Sequence, residues 1–436
     1  MNKLALAGMV LGGMLGLGAA HAQYTGPKVN LTYVHGFLGS DRPYMEDLVK
    51  QFNASHPNIE VKYQGQDWGT TGQQLLPLVA AGRAPDVVAW LSWDITQFVD
   101  KGAFSELTPA ELRAARVSKA AFYDKVWQGG QYQGKTYGVP LHLVTVVTFY
   151  NKDLMRKMGV SAPPRNREQF LAASARCTTD KAGRRPGAPG FDARNLATWG
   201  GAIPAAPGWF RLGITVAEQN GVDFLNAQGQ PVYASARAAE ALQFLRDTNT
   251  RYHVGPAGAT EDSEAAAFRQ GKSCFNYAGV WMLSQYREQL GDKLGVAPFP
   301  RLGTQRDASF GDASFLTLPR QRANYDPNKR AAALEFVGWM TGREQNLAFT
   351  KSGSLPTQPA VASDPAYRTN PMYGAFAGFR NISIYGGLGG TTRIAPVLSP
   401  FGDAVDQFLS GKKGDALQVL REAQVKTVQQ IADAQK

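Results

Sequence analysis

A chain of 436 residues, 44% apolar and 19% charged, exceeds what one hydrophobic core usually supports, so two folded units are expected. Its formal charge is +11, but the basic residues are dispersed. The densest groups, Arg184-Arg185 and Lys412-Lys413, have no interleaved aromatics, which argues against a nucleic-acid groove.

The first 22 residues read as a secretory leader. Lys3 supplies the positive region, Leu4 to Leu17 is apolar and Gly-rich, and Ala20-His21-Ala22 is a small-x-small cleavage site, so the mature chain would begin at Gln23. The apolar stretch is short for a membrane span, no later segment reaches that length, and no cysteine follows the cleavage site to take a lipid. The expectation is a soluble periplasmic product that is not a lipoprotein. Cys177 and Cys274 remain; exported, they read as one disulfide or as two buried thiols. Two cysteines cannot by themselves make a typical zinc site, and the five histidines show no ligand spacing, so neither metal nor cofactor is expected.

The mature chain opens with a strand from Val29 to Val34, a loop His35-Gly36-Phe37-Leu38-Gly39, and a helix with Ser40 or Asp41 as its cap and Tyr44, Leu48 and Phe52 on one face. His56-Pro57-Asn58 stops the helix and Ile59 to Tyr63 alternates as a strand. A helix with Leu75, Leu76, Val79 and Ala80 ends at Gly82 and Pro85, Asp86 to Trp90 is a buried-looking strand, and Ser92 caps a helix carrying Ile95, Phe98 and Val99. This alternation predicts an α/β unit with mostly parallel strands.

Leu141 to Tyr150 is a β-rich run too long for one ordinary strand in one sheet, and it reads as a crossing between lobes. Residues 178–208 read as Gly/Pro/Arg-rich loops around Trp199 and Trp209. Further on, Ser235 caps a helix, Cys274 to Tyr277 is a strand, Trp281 to Leu290 a helix, and Gly295 to Phe299 and Ser314 to Leu318 short strands. From Arg330 onward the pattern is mainly helical.

Several segments, in this order, resemble the solute-binding proteins of ABC importers, of the maltose-binding and glycerol-3-phosphate-binding type. They are Phe52-Asn53-Ala54-Ser55-His56-Pro57-Asn58-Ile59-Glu60-Val61, Ala81-Gly82-Arg83-Ala84-Pro85-Asp86-Val87, and Tyr137-Gly138-Val139-Pro140 with Phe149-Tyr150-Asn151-Lys152-Asp153-Leu154. Phe268-Arg269-Gln270-Gly271-Lys272, Gly279-Val280-Trp281, Val296-Ala297-Pro298-Phe299-Pro300 and Gly353-Ser354-Leu355-Pro356 continue the series over nearly the whole mature chain.

The resemblance implies a two-lobed periplasmic-binding-protein fold with hinge crossovers and a helical C-terminal segment. One lobe would hold residues 23–140 and 282–328, the other 141–281 and 329–436. It implies a monomer that closes on a sugar or oligosaccharide and presents it to ABC permease subunits, with glycerol-3-phosphate or a glycerophosphodiester as the alternative solute. It also places Cys177 and Cys274 in one lobe beside sheet strands, which implies their pairing.

A sugar site needs exposed rings beside planar hydrogen-bonding groups. Strand carboxyl ends nominate His35, Phe37, Asp67, Trp68, Trp93 and Asp94. The crossover nominates His142, the loops Trp199 and Trp209, and a helix start Trp281. Gly311-Asp312 could offer backbone N–H groups and a carboxylate between short strands, with a plain turn as the competing reading. Arg393 falls near the arginine that meets phosphate in the glycerol-3-phosphate-binding relatives. Where those relatives have a serine-rich crossover, this chain has Leu141-His142-Leu143-Val144, a departure that favours a neutral sugar. An exported glycoside hydrolase using two of Asp67, Asp94 and Asp312 is the remote alternative. No Gly-x-Ser-x-Gly, His-Glu-x-x-His or P-loop motif supports an enzyme.

Overall fold

The computed structural model describes residues 24–39, 41–204, 210–370, 372, 382–384 and 395–433. The leader, Trp209 and Arg393 lie outside the described residues. The first half contains β1 (Val29–His35), α1 (Arg42–Ser55), β2 (Ile59–Gly65), α2 (Trp68–Ala80), β3 (Val87–Leu91), α3 (Ile95–Asp100), β4 (Gly138–Asn151), α4 (Arg167–Cys177) and α5 (Phe210–Gln219). The second contains α6 (Glu261–Arg269), β5 (Phe275–Gly279), α7 (Leu283–Leu290), β6 (Leu294–Pro298), β7 (Ser309–Thr317), α8 (Pro327–Met340), α9 (Arg343–Phe349), β8 (Ile382–Ile384), α10 (Ala395–Leu409) and α11 (Ala416–Asp433).

β1 alternates buried and exposed residues, with Leu31 and Tyr33 turned inward, and pairs in parallel with β2 and β3. α1 starts with Pro43 in its first turn, where a missing N–H costs nothing, and buries Met45, Leu48, Val49 and Phe52. The order β6-β4-β7-β3-β1-β2 runs through one continuous path, with β8 added to β7 and β5 to β4. Beyond β3 the pairing turns antiparallel, since β7 runs against both β3 and β4.

β4 is the crossing strand. Its first half, Gly138–Thr145, pairs with β7, and its second half, from Val146 on, pairs with β5 and β6. One unbroken backbone therefore belongs to the sheets of both lobes. β7 is the return path, and its register with β4 shifts between Ser314 and Phe315, where β4 carries Leu141 as an extra residue. Gly311 and Asp312 are thus not in a turn between short strands: they lie inside a nine-residue buried strand that closes the gap between the two sheets.

Two of the expected lobe boundaries also move. Residues 282–308 pack with the C-terminal lobe, because β6 pairs with the far half of β4 and Tyr286 sits edge-on to Phe149. Residues 327–349 pack with the N-terminal lobe, where Phe336 meets both Tyr33 and Phe52 edge-on. The cause is chain direction: β7 returns the backbone to the first sheet, so the next two helices cover the face of that sheet. α10 and α11 then lie against α5 and the helix Ala236–Thr250 in the C-terminal lobe.

Cys177, at the end of α4, is bridged to Cys274, directly before β5, across a sequence separation of 97. Both are fully buried. Closing a loop of that size restrains the unfolded chain, so reduction, or Cys177→Ser with Cys274→Ser, is expected to cost about 2–5 kcal/mol. Urea unfolding with and without reductant measures it; coincident curves would show that the bridge adds no stability.

Candidate functional site

At the carboxyl end of β3 the chain makes one tight turn, Ser92–Asp94, before α3. Ser92 does not cap the helix. Its hydroxyl donates to the Asp312 carboxylate at 2.6 Å, and the same oxygen accepts the Ala313 N–H at 2.8 Å. This bond ties the turn carrying Trp93 and Asp94 to the crossing strand β7.

From the C-terminal lobe, the first turn of α5 brings Phe210 against Trp93, ring centroids 5.4 Å apart. The Arg211 guanidinium stands 5.0 Å from the Phe210 ring, 5.1 Å from Trp281 and 5.7 Å from Phe310, with the charges of Asp312 and Glu261 acting on it. Between the lobes lies a cavity of about 930 Å³, with Trp93, Asp94 and Gln97 on one wall and Phe210, Ser399 and Asp403 on the other. That volume lies within the range of small-molecule sites.

Burial dominates the electrostatics. It pushes Asp94 up to about 6, with Lys101 opposing the shift. It also pushes Asp312 up to about 6, against the hydrogen bonds from Ser92 and Ala313 and the charge of Arg211, while Asp94 adds to the rise. Arg211 is lowered by burial and held up by Glu261 and Asp312. The site can therefore offer ring faces and a carboxylate whose charge is costly to keep unmatched.

The structure brings together Trp93 and Asp94 at the cavity, with Asp312 and Trp281 immediately behind through Ser92 and Arg211. It does not bring the others there. His35, Phe37 and His142 gather in the aromatic interior of the N-terminal lobe, with Trp68 half-buried against them. Phe37 is 5.0 Å from His142, 5.6 Å from His35 and 5.6 Å from Trp68, and is itself only 2% exposed. Burial lowers His35 to about 4 and His142 to about 3, as expected of imidazoles kept neutral in an apolar setting. Asp67 caps α2 by accepting the Thr70 N–H.

Trp199 turns into its own lobe, where its indole N–H donates to the Glu264 carboxylate at 3.1 and 3.2 Å; it does not line the cavity. Gly311 is locked in the ladder between β4 and β8. Sequence reasoning passed over Phe210, Arg211, Gln97 and Asp403. Phe210 and Arg211 directly follow the loop that held Trp209, and that adjacency was the available signal. Asp403 lies on a helix whose exposed face carried none.

Two lobes threaded by shared strands, with a ring- and carboxylate-lined cavity between them, define a two-lobed binding-protein architecture. The chain belongs to the bacterial extracellular solute-binding protein family, whose model matches residues 38–347. The mannitol-binding protein of Pseudomonas aeruginosa is 25% identical over 313 residues, 70% of this chain and 67% of that one. The arabinooligosaccharide-binding protein of Bacillus subtilis is 21% identical over 326 residues, 71% of this chain and 68% of that one. Among solved structures, the maltose/maltodextrin-binding domain of Bdellovibrio bacteriovorus, bound to maltotriose, superposes with a TM-score of 0.77 at 18% identity, covering 93% of this chain and 100% of that one.

Proposed function

We propose that this chain captures a sugar or short oligosaccharide between its lobes and hands it, unreacted, to the permease of an ABC importer. The single observation that carries the reading is the contact of Trp93 with Phe210 at the cavity, one ring from each lobe, beside Asp94 and Gln97. Rings take the CH-rich face of a pyranose and carboxylate and amide groups take its hydroxyls. The relatives named for mannitol and arabinooligosaccharides support a polyhydroxylated solute.

The mechanism follows from the connections. The lobes share β4 and β7, so closing bends two strands while each core stays intact. The Ser92–Asp312 bond holds the Trp93–Asp94 turn rigid against the crossing strand, so ligand contacts on that turn are transmitted to the hinge. Export by cleavage after Ala22 into the periplasm, without a lipid anchor, and action as a monomer complete the proposal.

A thermal-shift screen of polyols, mono- to trisaccharides and glycerol phosphates tests it. A solute at a hundred times its Kd adds about 2.7 kcal/mol of stability. A rise with sugars, and recovery of the sugar intact after long incubation, is expected. A rise only with glycerol phosphates would move the assignment to that class, and cleaved oligosaccharide would replace binding with hydrolysis.

A further inference from the structure

We infer, resting on the binding reading above, that Thr145 and Thr215 are positioning residues: their buried hydroxyls fix Phe310 in β7 and, through it, the separation of the two cavity walls. Neither side chain lines the cavity itself.

β4 changes partners at Thr145. That residue is the last to face β7, opposite Gly311, and Val146 is the first to face β5. The register between the two shared strands thus ends at Gly311, and beside it hydroxyls hold the backbone of β7. Thr145 Oγ1 donates to the Phe310 carbonyl at 2.6 Å and lies 3.0 Å from the Ser309 hydroxyl, which donates to the Val146 carbonyl at 3.3 Å. The Phe310 N–H donates to Thr215 Oγ1 at 2.9 Å, and that hydroxyl donates to the Arg211 carbonyl at 2.8 Å. Thr145 and Thr215 are fully buried and Ser309 nearly so, so no water replaces these bonds when a hydroxyl is removed.

The bonds join the two walls through a short piece of strand. Thr215 and Arg211 belong to α5, whose first turn carries Phe210. Two residues beyond Phe310, Asp312 accepts the Ser92 hydroxyl and so holds the turn that carries Trp93. The C-terminal wall is therefore tied to Phe310 and the N-terminal wall to Asp312. A strand rises about 3.3 Å per residue, so the two ties stand about 7 Å apart. Gly311, between them, is paired on both sides, with β4 and with β8, so the stretch is stiff. It sets how far Trp93 stands from Phe210, and Thr145 clamps the same stretch from β4.

The test first measures lobe separation without any solute. Nitroxides at Lys50→Cys on α1 and Gln243→Cys on the helix Ala236–Thr250, both exposed, report it by electron–electron double resonance on the full mature chain with its disulfide intact. Thr145→Val and Thr215→Val keep the side-chain shape and remove the hydroxyl. Each is expected to shift or broaden the distance distribution by about 2 Å, and Thr145→Ser and Thr215→Ser to restore it. Calorimetry with mannitol and maltotriose gives the second readout: the valine variants are expected to bind at least about threefold more weakly than the wild type, and the serine variants to match it. Valine variants that are less stable toward urea but keep wild-type distances and affinities overturn the inference. If a valine variant does not fold, Ser92→Ala, which releases the other end of the same stretch, carries the test with the same expected shift and the same overturning result. Distance shifts without binding of either solute by the wild type uphold the positioning role and count against the sugar reading alone.

Discussion

Trp93→Ala is expected to weaken solute binding by about 10- to 100-fold with little loss of stability, whereas Trp199→Ala is expected to destabilise the protein and leave the affinity of the folded fraction unchanged. Both residues are tryptophans next to loops, and the difference lies in what each ring touches. Trp93 lines the cavity and meets Phe210 from the opposite lobe. Truncating it removes a ring face available to the solute, and a well-placed aromatic anchor is worth about 1.4–2.7 kcal/mol, the equivalent of that range of affinity. Trp199 is 8% exposed, and its N–H serves Glu264, which is 1% exposed and whose carboxyl burial pushes up to about 7. Trp199→Ala opens a cavity and strips a buried acid of a donor, a combined cost of about 3–5 kcal/mol. Calorimetric titration and urea unfolding of both variants decide the matter. An affinity loss at Trp199 with unchanged stability would reverse the assignment.

His142→Leu is expected to make the protein more acid-resistant. His142 lies between the rings of Phe37 and Phe349, its Nδ1 has no hydrogen-bond partner, and burial holds it down at about 3. Its folded value lies below its unfolded value of about 6.5, so the unfolded chain takes up the proton first. The stability this neutral imidazole contributes is complete above about pH 6.5 and is lost as pH falls, at about 1.4 kcal/mol per unit. Between pH 7 and pH 5 the wild type should therefore lose about 2 kcal/mol more than His142→Leu. His35, lowered to about 4, acts in the same sense. Asp94, Asp312 and Glu264, all pushed up, act in the opposite sense and gain stability as pH falls, so the difference between the two proteins is the quantity to measure. Parallel pH profiles would mean that His142 is already solvated or protonated in the folded state.

Much of the architecture was legible because its signals are local. Alternation in β1, the stop at His56-Pro57, the helix ended by Gly82 and the length of β4 are each written within about ten residues, and they were enough to predict lobes joined by a crossing strand. The family resemblance extended this to the second lobe. The boundaries after residue 281 were not legible, because nothing local in α7 or α8 says which sheet the helix will cover. The pairing of β5 and β6 with the far half of β4 places α7, and the return of the chain along β7 places α8.

The site was legible only in part. Trp93 and Asp94 could be found because a strand end followed by a helix start is a recognisable place. His35 and Phe37 satisfied the same rule, yet they are buried among neighbouring rings, and Trp68, which satisfied it too, is half-buried with its ring against Phe37.

The amino-acid sequence alone determined that this is an α/β chain of two lobes with rings and carboxylates at strand ends, since composition and periodicity are properties of short windows. Only the tertiary structure decided which rings meet at the cavity and that Ser92 bonds Asp312 instead of capping a helix. Those outcomes depend on side-chain direction and on segments such as β3, α5 and α10 that lie far apart in the chain and come together only when both cores have formed.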